Sequence, residues 1–263
     1  MLRLLGCSIR VPDLKLAEAF YCGKLGFRSQ PLTDRITMLP GRPSVFLEHV
    51  PLGPVPSDDQ ARTLLMLQVR DFAKSAAWFA RNNVPLVTGT TNALAIGVVD
   101  CFRDPFGNLH SFVELNDPPA GDWREPRIYN VGQRVPISAI PEARRIYADV
   151  LGFVVHSDRF YPPALPIMNP DGSFAFVIYD KPSFLNDFRA RAGLYPAENG
   201  CLLVFKTGDI AACRAHLLSR APRLRMTPVE SFALGRRMAF IDNAGIASEI
   251  WELERDLPPG TES

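Results

Sequence analysis

The sequence predicts an α+β protein of four βαβββ units, arranged as two cupped, eight-stranded mixed sheets with helices outside. Three observations carry this reading. One half of the chain repeats the other. Each half divides again into two runs of the same order: a short apolar strand, a helix-period segment and three further strands. Proline-rich stretches, PLGPVPSDD (51–59), NDPPAGDW (116–123) and YPPALP (161–166), punctuate the runs as connections.

The repeat is direct. Phe20-Tyr21 and Leu25-Gly26-Phe27 return as Ile146-Tyr147 and Leu151-Gly152-Phe153, 126 residues later. Phe102-Arg103-Asp104 through Val113-Glu114-Leu115 returns as Phe240-Ile241-Asp242 through Trp251-Glu252-Leu253, 138 residues later. The 12-residue difference places an insertion between 155 and 200 of the second copy. The copies divide the chain into an N-terminal module, 1–118, and a C-terminal module, 126–254.

Within the first unit, Leu5 to Val11 is a β-branched and apolar strand, and Asp13 can cap the next helix. Leu14, Leu16, Ala17, Ala19, Phe20 and Leu25 fall at helical spacing, and Gly26 stops that helix. Short strands are expected at 27–30, 35–39 and 44–49. The second unit restarts with a strand at 64–69, a cap at Asp71 and a helix over 72–82. Strands come next near 85–88, 94–101 and 109–115. The second copy has the same order, with strands at 131–137 and 201–207 and helices at 140–150 and 209–219. A βαβββ unit leaves one sheet face uncovered by its own helix. Two units joined side by side enclose a cup on that face, a natural ligand site.

Composition bounds the function. Hydrophobic residues are 47% and charged residues 22%, the balance of a packed domain, and the formal net charge is +1. No basic run is present, so neither nucleic acid nor an acidic membrane is an expected partner. The five cysteines form no CxxC pair and read as reduced thiols. No apolar run reaches the length of a membrane span and the first residues lack signal-peptide order, so a cytoplasmic location is expected, as monomer or homodimer.

Val11-Pro12-Asp13, Phe20-Tyr21, Leu25-Gly26-Phe27 and the turn Asp104-Pro105-Phe106-Gly107-Asn108 resemble the vicinal-oxygen-chelate superfamily in a tandem two-module form. That superfamily includes glyoxalase I, bleomycin- and fosfomycin-resistance proteins, methylmalonyl-CoA epimerase and extradiol dioxygenases. The resemblance implies the cup and leaves the reaction open, because one fold hosts many chemistries. It also implies places for a divalent metal, each a His, Gln or Glu. Carried onto this chain they fall on Gly6, Leu64 and Ser111, then on Gly132, Leu202 and Glu249. Only Glu249 is a good ligand, so no metal and no other cofactor is expected, with a divalent metal as the runner-up.

Strand alternation assigns side chains to the cups. Gly6, Ser8 and Arg10, with Met66, Gln68, Ser111 and Val113, point into the first. Gly132 and Arg134, with Val204, Lys206, Glu249 and Trp251, point into the second. The second cup is the expected active site. Glu249 would act as acid or base, and Arg134 and Lys206 would steady negative charge. Trp251, Val204, His156 and Tyr161 would contact a small organic ligand, aromatic ones included, with the loop after Tyr161 as a lid. His110 is expected to face a helix and His216 to be exposed. The expected activity is metal-independent, of isomerase, cyclase or lyase type. The alternatives are a binding or resistance protein without turnover, and a metal-dependent extradiol dioxygenase or glyoxalase with displaced ligands.

Overall fold

The computed structural model describes residues 2–50, 62–84, 86, 92–94, 97–118, 126–135, 137–155, 164–180, 201–242 and 247–258. The first unit consists of β1 (Arg3–Val11), α1 (Leu14–Glu18), β2 (Gln30–Pro31), β3 (Ile36–Leu39) and β4 (Ser44–His49). The second contains β5 (Arg62–Val69), α2 (Phe72–Arg81), β6 (Asn92–Leu94), β7 (Gly97–Arg103) and β8 (Leu109–Leu115). The third contains β9 (Arg127–Val135), α3 (Ile140–Arg144), β10 (Val154–Val155), β11 (Ala164–Met168) and β12 (Phe174–Asp180). The fourth contains β13 (Cys201–Lys206), α4 (Ile210–Arg220), β14 (Arg225–Met226), β15 (Glu230–Phe232), β16 (Gly235–Ile241) and β17 (Ala247–Leu253).

The helices begin where the sequence places them. Asp13, Asp71 and Asp209 each accept a hydrogen bond from the backbone N–H three residues on, at 3.0, 2.9 and 2.9 Å. Those bonds satisfy N–H groups that the first helical turn leaves open. The first and third helices then widen into a π-helical turn, Ala19–Lys24 and Arg145–Val150. Each is succeeded by a glycine at positive φ, Gly26 at 77° and Gly152 at 78°. The expected strand at 27–30 is a two-residue strand at Gln30–Pro31; of the strand expected at 85–88 only Leu86 is among the described residues, and it bridges Phe102.

The pairing of units corrects the expectation that each copy closes its own cup. One sheet runs β14-β16-β17-β13-β1-β4-β3-β2, with β15 beside β16, and joins the first unit to the fourth. The other runs β10-β11-β12-β9-β5-β8-β7-β6 and joins the second to the third. We call their concave faces the outer and inner cups, after the units that build them. The copies at 1–118 and 126–254 therefore each contribute half of both sheets. The joints are antiparallel: β1 with β13, Cys7 opposite Leu203, and β5 with β9, Leu65 opposite Val131. Gly6 permits the close approach of β1 to β4, since a Cβ there would stand 2.0 Å from the Ser44 carbonyl oxygen.

Alternation along the strands separates two kinds of interior. Cys7, Ile9, Val45, Leu47, Leu203, Phe205 and Ile250 face the helices and belong to the main core. Ile36, Met38, Phe46, Val204 and Trp251 face the other way and form a separate cluster in the outer cup. The five cysteines form no disulfide, and no described helix is long and apolar enough to cross a membrane.

Helices, unlike sheets, bind within a copy. Phe20 packs on Phe102 with ring centroids 6.3 Å apart. The Tyr21 hydroxyl lies 2.9 Å from Asp104 Oδ2 and 2.8 Å from His110 Nε2, all three side chains being buried. A carboxylate only accepts, so the hydroxyl donates to Asp104. Asp104 also accepts from the Phe106 and Asn108 backbone N–H groups and from Asn108 Nδ2, at 2.9, 2.8 and 2.7 Å, which builds the Asp104–Asn108 turn. The expected helix-facing position of His110 is what the structure has. In the second copy, Tyr147 and Phe153 pack on Phe205, and the exposed His216 places Nε2 2.8 Å from the Val150 carbonyl oxygen.

Burial raises the Asp104 pKa, but the groups around it, His110 first and then Asn108 and Tyr21, outweigh burial and leave it below the ordinary carboxylate value. A depressed native pKa stabilises the fold above the unfolded value, about 3.9, and that stability is lost as pH falls through the native value. Asp104→Asn is therefore expected to be less stable than wild type at pH 7. It should also lose less stability between about pH 5 and pH 2. Urea melts across that range check both.

Candidate active site in the outer cup

Glu249 sits in the middle of β17, with 1% of its surface exposed. Trp251, two residues on, shares its face, and the indole Nε1 donates to Glu249 Oε2 at 2.7 Å. The other carboxylate oxygen accepts from Arg10 Nη2 on β1. That contact crosses the joint between the first and fourth units.

Register assembles the rest. On β1 and β4, Arg10 lies opposite Glu48 and Ser8 opposite Phe46. On β13 and β17, Val204 lies opposite Glu249. On β16 and β17, Arg237 lies opposite Trp251. The Arg237 guanidinium donates from Nη1 to Glu48 Oε1 and, at 2.8 Å, from Nε to Glu230. The same Nη1 is 4.0 Å from Glu249. Ser8 Oγ donates to Glu48 Oε2 at 3.2 Å, and Arg10 Nε stands 3.9 Å from that oxygen. Two buried carboxylates and two guanidinium groups thus alternate around the cup floor.

Burial alone would lower the Arg237 pKa. Glu249 and the hydrogen-bonded Glu48 outweigh it, with Glu230, and hold the group above the ordinary arginine value. Charges in this number balance locally, which lets them stay ionised away from water. The walls are aromatic: Phe46 and Phe232 stand 4.9 and 5.0 Å from Trp251, ring centroid to ring centroid, and Arg237 lies over Phe232 at 5.1 Å. The Arg10 side chain is 34% exposed, so it reaches the rim while its end touches the floor.

The structure brings Glu249, Trp251 and Val204 together as expected. It does not bring Arg134 to them. Arg134 is on β9, opposite Arg62 and Tyr179, in the other sheet, because the sheets pair across the copies. Lys206 donates to Asp256 at 2.5 Å instead of to Glu249. His156 and Tyr161 lie outside the described residues, as do 162 and 163 of the expected lid; the rest of that stretch, from Ala164, is not a loop but the start of β11.

Arg10, Ser8, Glu48 and Arg237 take the places expected for Arg134 and Lys206. Alternation puts Ser8 and Arg10 on a cup face but gives no sign of which strand lies alongside. The overlooked signal is Glu48, one carboxylate beside the run Val45-Phe46-Leu47 and buried with it. A buried carboxylate requires a partner, and the partner had to be a cation from another element.

The donor set does not fit a family-type divalent metal. Glu48 and Glu249 are the two carboxylates at the floor, and each is already bonded to a guanidinium. Among the described residues no group of three or more His, Cys, Asp or Glu side chains is placed to hold an ion.

The sequence model of the Glyoxalase/Bleomycin resistance protein/Dioxygenase superfamily matches residues 3–112. Among solved structures, glyoxalase I from Zea mays is similar at 14% identity and a TM-score of 0.62, over 95% of this chain and 92% of that one. A structure described as a "putative dioxygenase" from Bacillus subtilis subsp. subtilis str. 168 is similar at 15% identity and a TM-score of 0.61, over 94% of this chain and 84% of that one. At these identities the likeness is one of fold. Comparison with curated protein sequences gave no match.

Trp251→Phe keeps the aromatic wall and deletes one donor to a buried carboxylate. It is expected to cost about 1.5–3 kcal/mol, the range for a hydrogen bond to a charged group, as read by urea unfolding.

Proposed function

We propose that this chain, whose residues 3–112 match the sequence model of the Glyoxalase/Bleomycin resistance protein/Dioxygenase superfamily, binds a small organic molecule in its outer cup and moves a proton on it with Glu249, without a metal. The observation that carries this reading is the buried Glu249 carboxylate, held by Trp251 and by the guanidinium of Arg10, whose side chain reaches the rim.

The chemistry derives from the two oxygens. Trp251 fixes Oε2 and so fixes the plane of the carboxylate. An anionic or carbonyl oxygen of the ligand draws Arg10 toward itself and frees Oε1. Oε1 then takes a proton from the carbon beside the ligand carbonyl, and the electron pair moves onto the carbonyl oxygen. Arg10 and Arg237 stabilise the charge that develops there. Return of the proton to a neighbouring atom gives isomerisation, and expulsion of a leaving group gives a lyase step. Phe46, Trp251 and Phe232 supply an apolar wall for an aromatic or aliphatic body.

A second reading is binding without turnover. What favours it is that both Glu249 oxygens are already bonded, so that Arg10 alone could recognise the ligand.

Exchange of α-protons in D2O, monitored by proton NMR on 2-oxo acids and aryl ketones, separates the readings before a substrate is known. Wild type is expected to catalyse exchange on at least one compound with a chelator present. Glu249→Gln should slow that exchange at least 100-fold and still bind the compound. Binding with no exchange in wild type supports sequestration. Stoichiometric iron or zinc in the purified protein, with exchange lost on chelation, contradicts the metal-free reading.

A further inference from the structure

The inner cup carries two buried polar atoms that have no hydrogen-bond partner among the described residues. Register defines its face. Met66 and Gln68 on β5 lie opposite Ser111 and Val113 on β8. Cys101 and Val99 on β7 lie opposite the same pair. Asn130 on β9 lies opposite Met66, and Val177 on β12 lies opposite Gly132. Leu65, Leu67, Phe102 and Phe112, the intervening residues, belong to the helix-side core. Among the described side chains this face carries Met66, Val99, Cys101, Val113 and Val177, the buried polar groups Gln68, Ser111 and Asn130, and at its edge Arg127, opposite Gln68.

Gln68 is oriented by Arg127. The guanidinium donates to Gln68 Oε1 from Nε at 2.9 Å and from Nη2 at 2.6 Å. A guanidinium has no acceptor, so the oxygen of the amide must face it and the Nε2 group must face away. Nε2 is one of the two unpartnered atoms, and Ser111 Oγ is the other. Both side chains are fully buried. A buried donor left unmet is costly, and two on one face, one of them fixed in direction, describe the imprint of an acceptor.

We propose that the inner cup is a second small-molecule site, for a compact molecule with a carbonyl or carboxylate oxygen. Gln68 Nε2 and Ser111 Oγ donate to that oxygen, and Met66, Val99, Val113 and Val177 pack against the apolar body. The site differs in kind from the outer cup. Its floor offers an amide, backed by the Arg127 guanidinium, and a hydroxyl in place of paired carboxylates and guanidinium groups, and it binds without requiring proton transfer. It lies on the other sheet, so it stands or falls independently of the outer-cup reading.

The test uses the full chain with acetophenone and benzoate as probes, and ethylbenzene as the analogue without an oxygen, measured by calorimetric titration. Wild type is expected to bind acetophenone or benzoate at least tenfold more tightly than ethylbenzene. Gln68→Glu keeps an acceptor for Arg127 but turns an oxygen toward the ligand, and should weaken binding at least tenfold. Ser111→Ala should weaken it several-fold, and should leave the ligand-free melting temperature unchanged or raised, since it removes an unmet hydroxyl. The proposal is overturned if wild type binds neither oxygen-bearing probe, or if the Gln68 and Ser111 variants bind as wild type does. It is also overturned if a probe-soaked crystal shows only water at Gln68 Nε2. If Arg10→Met, which removes the outer cup's ligand-recognising guanidinium, abolishes binding while the Gln68 and Ser111 variants keep it, the probe sits in the outer cup, which overturns the inner site and leaves the outer one standing.

Discussion

The antiparallel pairing of β1 with β13 is the constraint on which the rest depends. It joins residues some 200 positions apart, Cys7 opposite Leu203, and makes one sheet from the first and last units. Once that joint forms, β5 is left to pair with β9, and the second sheet is set. The joint also places Arg10 of the first unit against Glu249 of the fourth. Without it, each would be a buried or half-buried charge lacking its partner, a state proteins rarely tolerate.

A second set of contacts runs at right angles to this one in the sequence. Helices dock within a copy: Tyr21 on Asp104 and His110, Phe20 on Phe102, Tyr147 and Phe153 on Phe205. Sheets join across copies. Every unit is thus tied to one neighbour through its helix and to another through its strands. The two cups consequently have different floors. The outer one balances Glu48 and Glu249 against Arg10 and Arg237, and the inner one presents Ser111 and a Gln68 amide held by Arg127.

Much of this is legible in the residues. The repeat implies four units, aspartates mark three of four helix starts, and alternation finds the correct side for Ser8, Arg10, Gln68, Ser111, Val204 and Glu249. Two features are not legible. Period-two alternation reports which face a side chain takes but not which strand stands beside it, since pairing within a copy and across copies satisfies the same pattern. Alternation alone puts Arg134 with Glu249 for that reason, although its strand lies in the other sheet. The widened turns at Ala19–Lys24 and Arg145–Val150 are likewise hidden, because a π-turn and an α-turn bury nearly the same residues.

A double-mutant cycle on Arg10 and Glu249 tests the central claim most directly, because their coupling exists only if the first and fourth units share one cup. Arg10→Met, Glu249→Gln and the pair would be compared with wild type by urea unfolding. Shared placement predicts a coupling of at least about 1.5 kcal/mol, in the range of close charge pairs. Additivity within about 0.5 kcal/mol, the behaviour of distant sites, would contradict the crossed pairing of units and the outer cup built on it.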